Sequence, residues 1–294
     1  MKKLKKQLLH VVSFLIVASA VYSFTNPQSA TNSIDIFEAI KLGKITMVAK
    51  NNGGYSLESV NLSLKNNTAT TLSISIPAGA VFKPADEGDQ DLIVPIEDVL
   101  VLQPKAQLQR NINAYCIQAS ERSPNENGST SLSKNLNTNL GKLLTYFKTN
   151  KVDKSDIQDA LWAVSDGHSI CNVGNTSEQG KNLRTFLATL TGQENTWYHT
   201  PQSRVIEEDR TIQRETVTVS GQLSYTVPKG TIVFDEVVSA DGRSFFKSQG
   251  KVAPYGGKVE FSFNLRVKGW KKGDYFVKVM KGSEQIVVFP FSIT

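Results

Sequence analysis

The chain has 294 residues, including 33 basic and 27 acidic ones, and four of the basic but none of the acidic residues lie in positions 1–20. The rest of the chain is therefore close to neutral. It has no basic stripe interleaved with aromatic residues, which excludes the usual electrostatic signature of a nucleic-acid-binding protein. The length fits one large domain or two ordinary ones, and the ordinary composition allows a sizeable core without metals or disulfide cross-links.

The first residues have the pattern of a secretion signal. Four lysines within the first six residues precede a largely apolar run over residues 8–24, which contains small residues at 18–20. We expect cleavage after Ala20, so that 1–20 is the signal peptide and the mature protein is secreted or held at the cell surface. The alternative is a single membrane anchor, because the run approaches the roughly 17 residues that a spanning helix needs. No later stretch is apolar enough to span, so we expect membrane contact only through this segment.

The next part of the chain has the pattern of antiparallel strands. Residues 60–64 and 72–76 each alternate apolar and polar side chains, as half-buried strands do. The sequence Lys65-Asn66-Asn67 between them is a turn signal, which predicts a hairpin. Further strands are expected up to the one that contains residues 113–117.

An acidic segment follows the first strands. Asp86, Glu87, Asp89 and Asp91 resemble a calcium-binding loop in composition, but Gly88 stands where the third-position ligand belongs. We therefore expect a solvated acidic loop.

The middle of the chain predicts three helices after a polar loop over residues 120–133. The first has apolar residues at helical spacing, Leu140, Leu143, Leu144 and Phe147. The second is expected to begin after an N-cap at Ser155. The third covers residues 177–190 and ends at Gly192.

The last part of the chain predicts an all-β domain. Residues 195–212 are polar and charged and predict a linker, and alternating strands with glycine turns follow it. The fold class is therefore α+β. We expect an N-terminal β-sandwich with a small helical insert over 31–200 and an immunoglobulin-like all-β sandwich over 210–294.

The two cysteines of the chain could form a disulfide or, in one case, a thioester. In an exported chain, the ordinary expectation is a disulfide between Cys116 and Cys171. The alternative is that Cys116 and the amide of Gln158 condense into an internal thioester, which can bond covalently to an amine. A thiol reacts as its thiolate, so this alternative predicts a site that favours the charged sulfur.

Two short motifs resemble a known family. Tyr115-Cys116 and the sequence Ile-Gln-Asp-Ala-Leu-Trp at 157–162 resemble the thioester domains of bacterial surface adhesins, and Ser165-Asp166-Gly167 is similar to the family's usual continuation. The resemblance implies that Cys116 supplies the sulfur and Gln158 the acyl group. It also implies capture of an amine on a protein or another surface ligand. We expect neither an enzyme nor a bound cofactor.

His168 suggests an alternative to the thioester, namely an enzyme with a catalytic cysteine. Cys116, His168 and Asp166 have the side chains of a cysteine hydrolase or transferase. Within the thioester hypothesis, His168 would instead assist the attacking nucleophile. Cys116, His168 and Cys171 lack a fourth ligand and a compact spacing, so no metal site is expected.

The end of the chain is similar to a second family. Residues 273–279 resemble the closing strands of the β-sandwich sorting domains used in type IX secretion. A generic immunoglobulin-like spacer ends in the same way, and we favour the spacer. The sequence thus favours a surface adhesion protein with a covalent thioester. The alternative is a non-covalent envelope or structural protein with a Cys116–Cys171 disulfide.

Overall fold

The structure is a computed structural model that describes residues 33–134 and 136–294, so the predicted signal peptide lies outside the described residues. The strands of the N-terminal part are β1 (Ile34–Asp35), β2 (Ile45–Asn51), β3 (Val60–Asn66), β4 (Leu72–Ile76), β5 (Val81–Pro84), β6 (Leu92–Ile93), β7 (Asp98–Leu102), β8 (Gln107–Ile112), β9 (Tyr115–Cys116) and β10 (Thr130–Ser133). The helices are α1 (Ile36–Lys41), α2 (Thr138–Thr149), α3 (Lys154–Ser165) and α4 (Glu178–Thr191), with a 3₁₀ turn at Ile170–Asn172. The remaining strands are β11 (Tyr198–His199), β12 (Gln202–Ile206), β13 (Ile212–Thr216), β14 (Thr218–Val227), β15 (Ile232–Ser239), β16 (Ser244–Lys247), β17 (Lys251–Val252), β18 (Gly257–Arg266), β19 (Gly273–Lys281) and β20 (Glu284–Ile293).

Small sheets enclose the N-terminal core. Their strand orders are β1-β4-β7, β2-β3-β8 and β10-β5-β6-β9. Inward side chains of the sheets form one buried apolar cluster, in which Leu62, Ile74, Phe82 and Leu92 are almost completely buried. The alternation of these residues with polar ones is the reason why the segments form half-buried strands. The predicted α+β class, with a β-sandwich that carries a helical insert, is confirmed.

The predicted hairpin between residues 60–64 and 72–76 is wrong. Both segments are strands, but β3 pairs with β2 and β8, whereas β4 pairs with β1 and β7. The physical reason is Asn66, which is fully buried at the corner between the two sheets. Its side-chain amide donates to the carbonyl oxygens of Thr70, Leu102 and Gln103. These bonds turn the chain out of one sheet and into the other.

The helical insert agrees with the apolar spacing. Leu140, Leu143, Leu144 and Phe147 of α2 are buried in one cluster with side chains of α3 and α4. The N-cap of α3 is Asp153, two residues before the expected Ser155, and its carboxylate accepts a hydrogen bond from the Ser155 N–H. Helix α4 ends as predicted at Gly192, which has a left-handed φ of 75°.

The C-terminal part is a β-sandwich, as predicted. One sheet has the order β11-β14-β18, and the other has the order β16-β15-β19-β20 with β17 paired to β15. Val219 and Phe263 of the first sheet pack in one buried cluster with Val277 and Phe291 of the second. Pro290 lies in β20 at the end of its sheet, where a residue without an N–H removes no ladder bond.

The predicted linker over residues 195–212 is wrong. Strand β11 pairs with β14 and joins the C-terminal sandwich, so Tyr198 and His199 are buried. Strands β12 and β13 pair with each other as an antiparallel hairpin, in which Arg204 lies opposite Arg214. We call residues 202–216 the arginine hairpin. Polar composition alone suggested a linker, but these side chains find partners on the N-terminal part.

Trp197, just before β11, lies so close to Gly221 of β14 that we expect no larger residue to fit at position 221. A Cβ atom there would lie 2.3 Å from the Trp197 carbonyl oxygen and 2.8 Å from a ring carbon of Trp197. We expect Gly221→Ala to lower the free energy of unfolding by about 1–3 kcal/mol, because the backbone and ring must move apart. Urea denaturation measures the change. Gly141→Ala is the control, since its Cβ would meet only Leu136 at 3.8 Å and should stabilise α2 by up to about 1 kcal/mol. Equal effects of the two substitutions would contradict the packing account.

Candidate functional site

Strand β9 places Cys116 in the N-terminal core. The strand pairs with β6, in which Leu92 lies opposite Cys116. The Cys116 N–H donates to the carbonyl oxygen of Tyr55 at 2.9 Å. The side chain of Cys116 is fully buried and belongs to the same apolar cluster as Trp162. The position of the sulfur is therefore set by two neighbouring segments of backbone.

Helix α3 places Gln158 against that strand. All residues of the helix from Asp156 to Ala163 are buried, including the polar Gln158 and Asp159. A helix that is buried on every side is unusual, because its polar side chains need partners inside the protein. The polar residues of α3 are therefore candidates for a functional role.

A hydrogen bond joins the two predicted motifs. Gln158 Nε2 donates to the backbone carbonyl oxygen of Cys116 at 2.8 Å, across 42 residues of sequence. The side-chain oxygen of Gln158 is buried and accepts no hydrogen bond from the described residues. The structure thus brings the amide of Gln158 to the residue that carries the sulfur, and leaves the amide oxygen without a donor.

The surroundings of Cys116 do not favour its thiolate. Burial raises the pKa of the Cys116 thiol well above its ordinary value, and the carboxylates of Asp89, Asp166, Asp91 and Glu121 raise it further. The expectation of a site that favours charged sulfur is therefore wrong for the free thiol. The physical reason is that an apolar core and nearby negative charges both oppose a negative sulfur. The resting thiol is neutral.

Aromatic rings and one arginine lie beside the Cys–Gln contact. Tyr55 stacks on Trp162, with ring centroids 5.9 Å apart. The guanidinium of Arg204 lies over both rings, at 5.9 Å from the first and 5.3 Å from the second. Arg204 also forms a buried ion pair with Asp159, the residue after Gln158. Strand β12 is thus attached directly to the helix that carries Gln158.

The turn of the arginine hairpin contacts the loops near strands β6 and β9. Arg210 Nη1 contacts Asp89 Oδ2 at 2.5 Å and donates to the Ser123 carbonyl oxygen at 3.0 Å. Arg122 forms a second ion pair with Asp89. The predicted solvated acidic loop is therefore corrected at Asp89, which is buried by these two arginines, while Asp86 and Glu87 are exposed. The hairpin is fixed both at α3 and at the loop near Cys116.

Sequence reasoning missed the arginine hairpin as part of the site. The available signal was two short segments with β-branched residues, Val205-Ile206 and Thr211-Ile212, on either side of a charged turn. That pattern is typical of a hairpin. Its contacts with Asp159 and Asp89 are distant in sequence and could not be read from it.

His168 lies beside Trp162 and Arg214, and no described hydrogen bond links it to Cys116 or Gln158. Its ring centroid is 5.6 Å from that of Trp162, and Arg214 Nη1 lies 2.9 Å from His168 Nε2. Burial, and then the charge of Arg214, lowers the pKa of His168 to about 4, so the ring is neutral at physiological pH. Its predicted assisting role stays a prediction.

The alternative Cys–His–Asp arrangement is not assembled in the described residues. Asp166 accepts a hydrogen bond from the Ala119 N–H at 2.8 Å and one from the Ser165 hydroxyl at 2.5 Å. Neither oxygen of Asp166 is bonded to His168. The nucleophile, base and orienting group therefore do not form a chain of hydrogen bonds.

The alternative disulfide is absent. Cys116 and Cys171 are both free and buried. Cys116 packs in the N-terminal core, whereas Cys171 packs in the cluster of the C-terminal sandwich, with its sulfur 3.0 Å from the Thr196 hydroxyl. The two cysteines belong to different cores, which is the physical reason why the expected Cys116–Cys171 bond does not form.

Neither a metal centre nor a membrane helix occurs in the part of the chain that the structure describes. Within residues 33–134 and 136–294, no three side chains of His, Cys, Asp or Glu are grouped so that they could hold a metal ion. Within the same residues, no helix combines the length and apolarity that crossing a membrane requires.

Comparisons with known proteins add no family. No protein-family model, curated protein or solved structure matches the chain significantly. The resemblance to adhesin thioester domains therefore rests on the two motifs and remains a prediction.

The Arg204–Asp159 pair predicts a large effect on stability. The side chains are only 12% and 8% exposed, so removal of one partner leaves a buried charge. We expect Arg204→Gln to lower the free energy of unfolding by about 3 kcal/mol, as measured by urea denaturation. The control is Arg110→Gln, which breaks the more exposed pair with Asp98 and should cost less than about 1 kcal/mol. Similar losses in both variants would refute a structural role for the buried pair.

Asp156, in the first turn of α3, predicts a dependence of stability on pH. Burial raises its pKa to about 6, above the value of about 4 in an unfolded chain. Since the folded state holds the proton longer, this group makes the protein less stable as pH rises from about 4 to 6. We expect Asp156→Asn to gain about 2 kcal/mol relative to wild type between pH 4.5 and 7.5, as measured by urea denaturation.

Asp153 of the same helix provides the control for this prediction. Hydrogen bonds from Ser155 lower the pKa of Asp153, so its contribution to stability is lost only as pH falls below about 4. Asp153→Asn should therefore differ from wild type by the same amount at pH 4.5 and 7.5. A parallel pH response of the two variants would show that burial of Asp156 is not the cause.

Proposed function

We propose that this is an exported surface adhesion protein that captures amine-bearing targets through a thioester between Cys116 and Gln158. The observation that carries the proposal is the hydrogen bond from Gln158 Nε2 to the Cys116 carbonyl oxygen. It joins the two motifs that resemble the adhesin family, and both side chains are buried. The export signal and the immunoglobulin-like spacer are parts of the same proposal.

The bond would form by condensation inside the core. The Cys116 sulfur attacks the side-chain carbonyl carbon of Gln158, the carbon–nitrogen bond breaks, and the thiol proton leaves with the nitrogen as ammonia. Because the resting thiol is neutral, the proton has to move from sulfur to nitrogen during this step. The step also removes the donor from the Cys116 carbonyl oxygen, a loss of about 1–3 kcal/mol that the folded core has to compensate.

Burial would protect the thioester from hydrolysis until a target amine reacts with it. Cys116 is fully buried and Gln158 is 2% exposed, so bulk water has little access to the acyl carbon. Tyr55, whose backbone carbonyl accepts a hydrogen bond from the Cys116 N–H, is only half-buried, and the Arg204 guanidinium lies 5.9 Å from its ring. An incoming amine would therefore require a local opening of the structure around Cys116 and Gln158.

Each thioester would react with one target amine only. The amine attacks the carbonyl carbon contributed by Gln158, the carbon–sulfur bond breaks, and a proton of the amine passes to the Cys116 sulfur. Because the raised pKa of Cys116 makes its thiolate a poor leaving group, the proton has to reach the sulfur as the carbon–sulfur bond breaks. The products are an amide bond to the target and a free cysteine, so the protein does not turn over as an enzyme.

The alternative is a non-covalent envelope or structural protein. In that case the Gln158 hydrogen bond would only hold α3 against β9. This alternative no longer has the support of a Cys116–Cys171 disulfide, since both cysteines are free.

The intact mass of the protein secreted without reductant tests the proposal. We expect a mass lower by one ammonia than that of the sequence beginning at the observed N-terminus, and a methylamine adduct after incubation with that amine. Cys116→Ala and Gln158→Ala should have full mass and form no adduct. Cys171→Ala is the matched control and should still react.

Two masses would contradict the proposal. Full mass with no methylamine adduct would show an unreacted thiol and amide, and would favour the non-covalent alternative. A mass lower by two hydrogens and indifferent to methylamine would show a disulfide between the cysteines.

A further inference from the structure

A polar cavity of about 520 Å³ lies between the arginine hairpin, the loop after α3 and the C-terminal part. Its volume is within the range of small-molecule sites, about 300–1,000 Å³. Residues from the loop after α3, from both strands of the hairpin and from the C-terminal part line it. The residues used below are Ser169, Gln202, Gln213, Arg214 and Lys272, all of which line this cavity.

The side chains that line the cavity are positively charged or neutral. Arg214 and Lys272 contribute two cations, and no Asp or Glu side chain lines the cavity. Neither cation forms an ion pair in the part of the chain that the structure describes; the nine ion pairs there involve other basic residues. The lining side chains therefore carry two positive charges, and the carboxylates of Asp166 and Asp159, which lie outside the lining, oppose part of the charge of Arg214.

The guanidinium of Arg214 contacts two neighbouring rings. Its guanidinium lies 5.3 Å from the centroid of the Trp162 ring, and its Nη1 atom lies 2.9 Å from Nε2 of the neutral His168. Burial, and then the positive charge of Arg204, lowers the pKa of Arg214, while Asp166 and Asp159 oppose the shift. A planar guanidinium that is held in this way can bind a carboxylate through two parallel hydrogen bonds.

The remaining lining supplies neutral hydrogen-bonding groups. The side-chain amides of Gln202 and Gln213 line the cavity, as does Ser169, whose hydroxyl oxygen accepts a hydrogen bond from the Cys171 N–H. Each amide offers both a donor and an acceptor. These groups suit the hydroxyls of a ligand whose carboxylate contacts the two cations.

We infer that this cavity binds a polyhydroxylated carboxylate of about the size of an acidic monosaccharide, with its carboxylate on Arg214 and Lys272. The inference rests on the lining and charge of the cavity and does not require the thioester. Binding here is reversible and leaves the mass of the protein unchanged.

Isothermal titration with D-glucuronate and D-glucose at low ionic strength tests the inference on the full mature protein. We expect saturable binding of glucuronate, with glucose bound about tenfold or more weakly because it lacks the carboxylate. Arg214→Gln and Lys272→Gln should each weaken the binding of glucuronate. Lys271→Gln is the matched control, because the neighbouring lysine loses the same charge but does not line the cavity, and it should bind as wild type does.

Three results would overturn the inference. These are no saturable binding of glucuronate, equal binding of glucose and glucuronate, or equal weakening by Lys271→Gln and Lys272→Gln. If Arg214→Gln does not fold, Lys272→Gln still tests the inference. Lys272 is exposed and forms no ion pair with the described residues, so we expect this variant to fold. The titration does not use Cys116 or Gln158, so its result is independent of the thioester test.

Discussion

The hydrogen bond from Gln158 Nε2 to the Cys116 carbonyl oxygen is the contact on which the arrangement of the candidate site depends. It links helix α3 to the short strand β9, two elements that come from the helical insert and the N-terminal sheets. Because both ends are buried, the amide cannot exchange this partner for water without opening the core. The bond therefore fixes the position of the amide relative to the cysteine, and proximity of this kind is the main requirement for a reaction between two side chains of one chain.

The same helix imposes an electrostatic constraint on its surroundings. Helix α3 buries two carboxylates as well as the amide, and burial raises the pKa of both Asp156 and Asp159. The attraction of Arg204 opposes this shift at Asp159 but does not cancel it, as is usual for buried ion pairs. The arginine hairpin thus compensates part of the cost of the polar helix. Its residue Arg204 also lies over the aromatic pair Tyr55 and Trp162, so one element contacts both the polar helix and the rings beside the site.

The sequence predicted those parts of the fold that depend on local burial. Alternation along residues 60–64 and helical spacing from Leu140 to Phe147 correctly predicted a strand and a helix, because each pattern matches the period of one buried face. The partner of the strand was wrong, since buried Asn66 turns the chain through bonds to distant carbonyl oxygens. The arginine hairpin was missed for a similar reason. Its polar side chains are ordered by carboxylates far away in sequence, and no local period records such pairs. The proximity of Cys116 and Gln158 was expected from motif resemblance, whereas the neutral state of the thiol follows from the three-dimensional charge distribution.

An atomic-resolution crystal structure of the secreted protein, prepared without reductant or added amines, is the most direct measurement of the central claim. The account predicts continuous electron density between the Cys116 sulfur and the side-chain carbonyl carbon of Gln158, at covalent distance and with no amide nitrogen on that carbon. The contrary result is an intact Gln158 amide that still donates to the Cys116 carbonyl oxygen, beside a separate thiol. In that case the hydrogen bond would be only a structural link between α3 and β9, and the proposal of covalent capture through a thioester would be wrong.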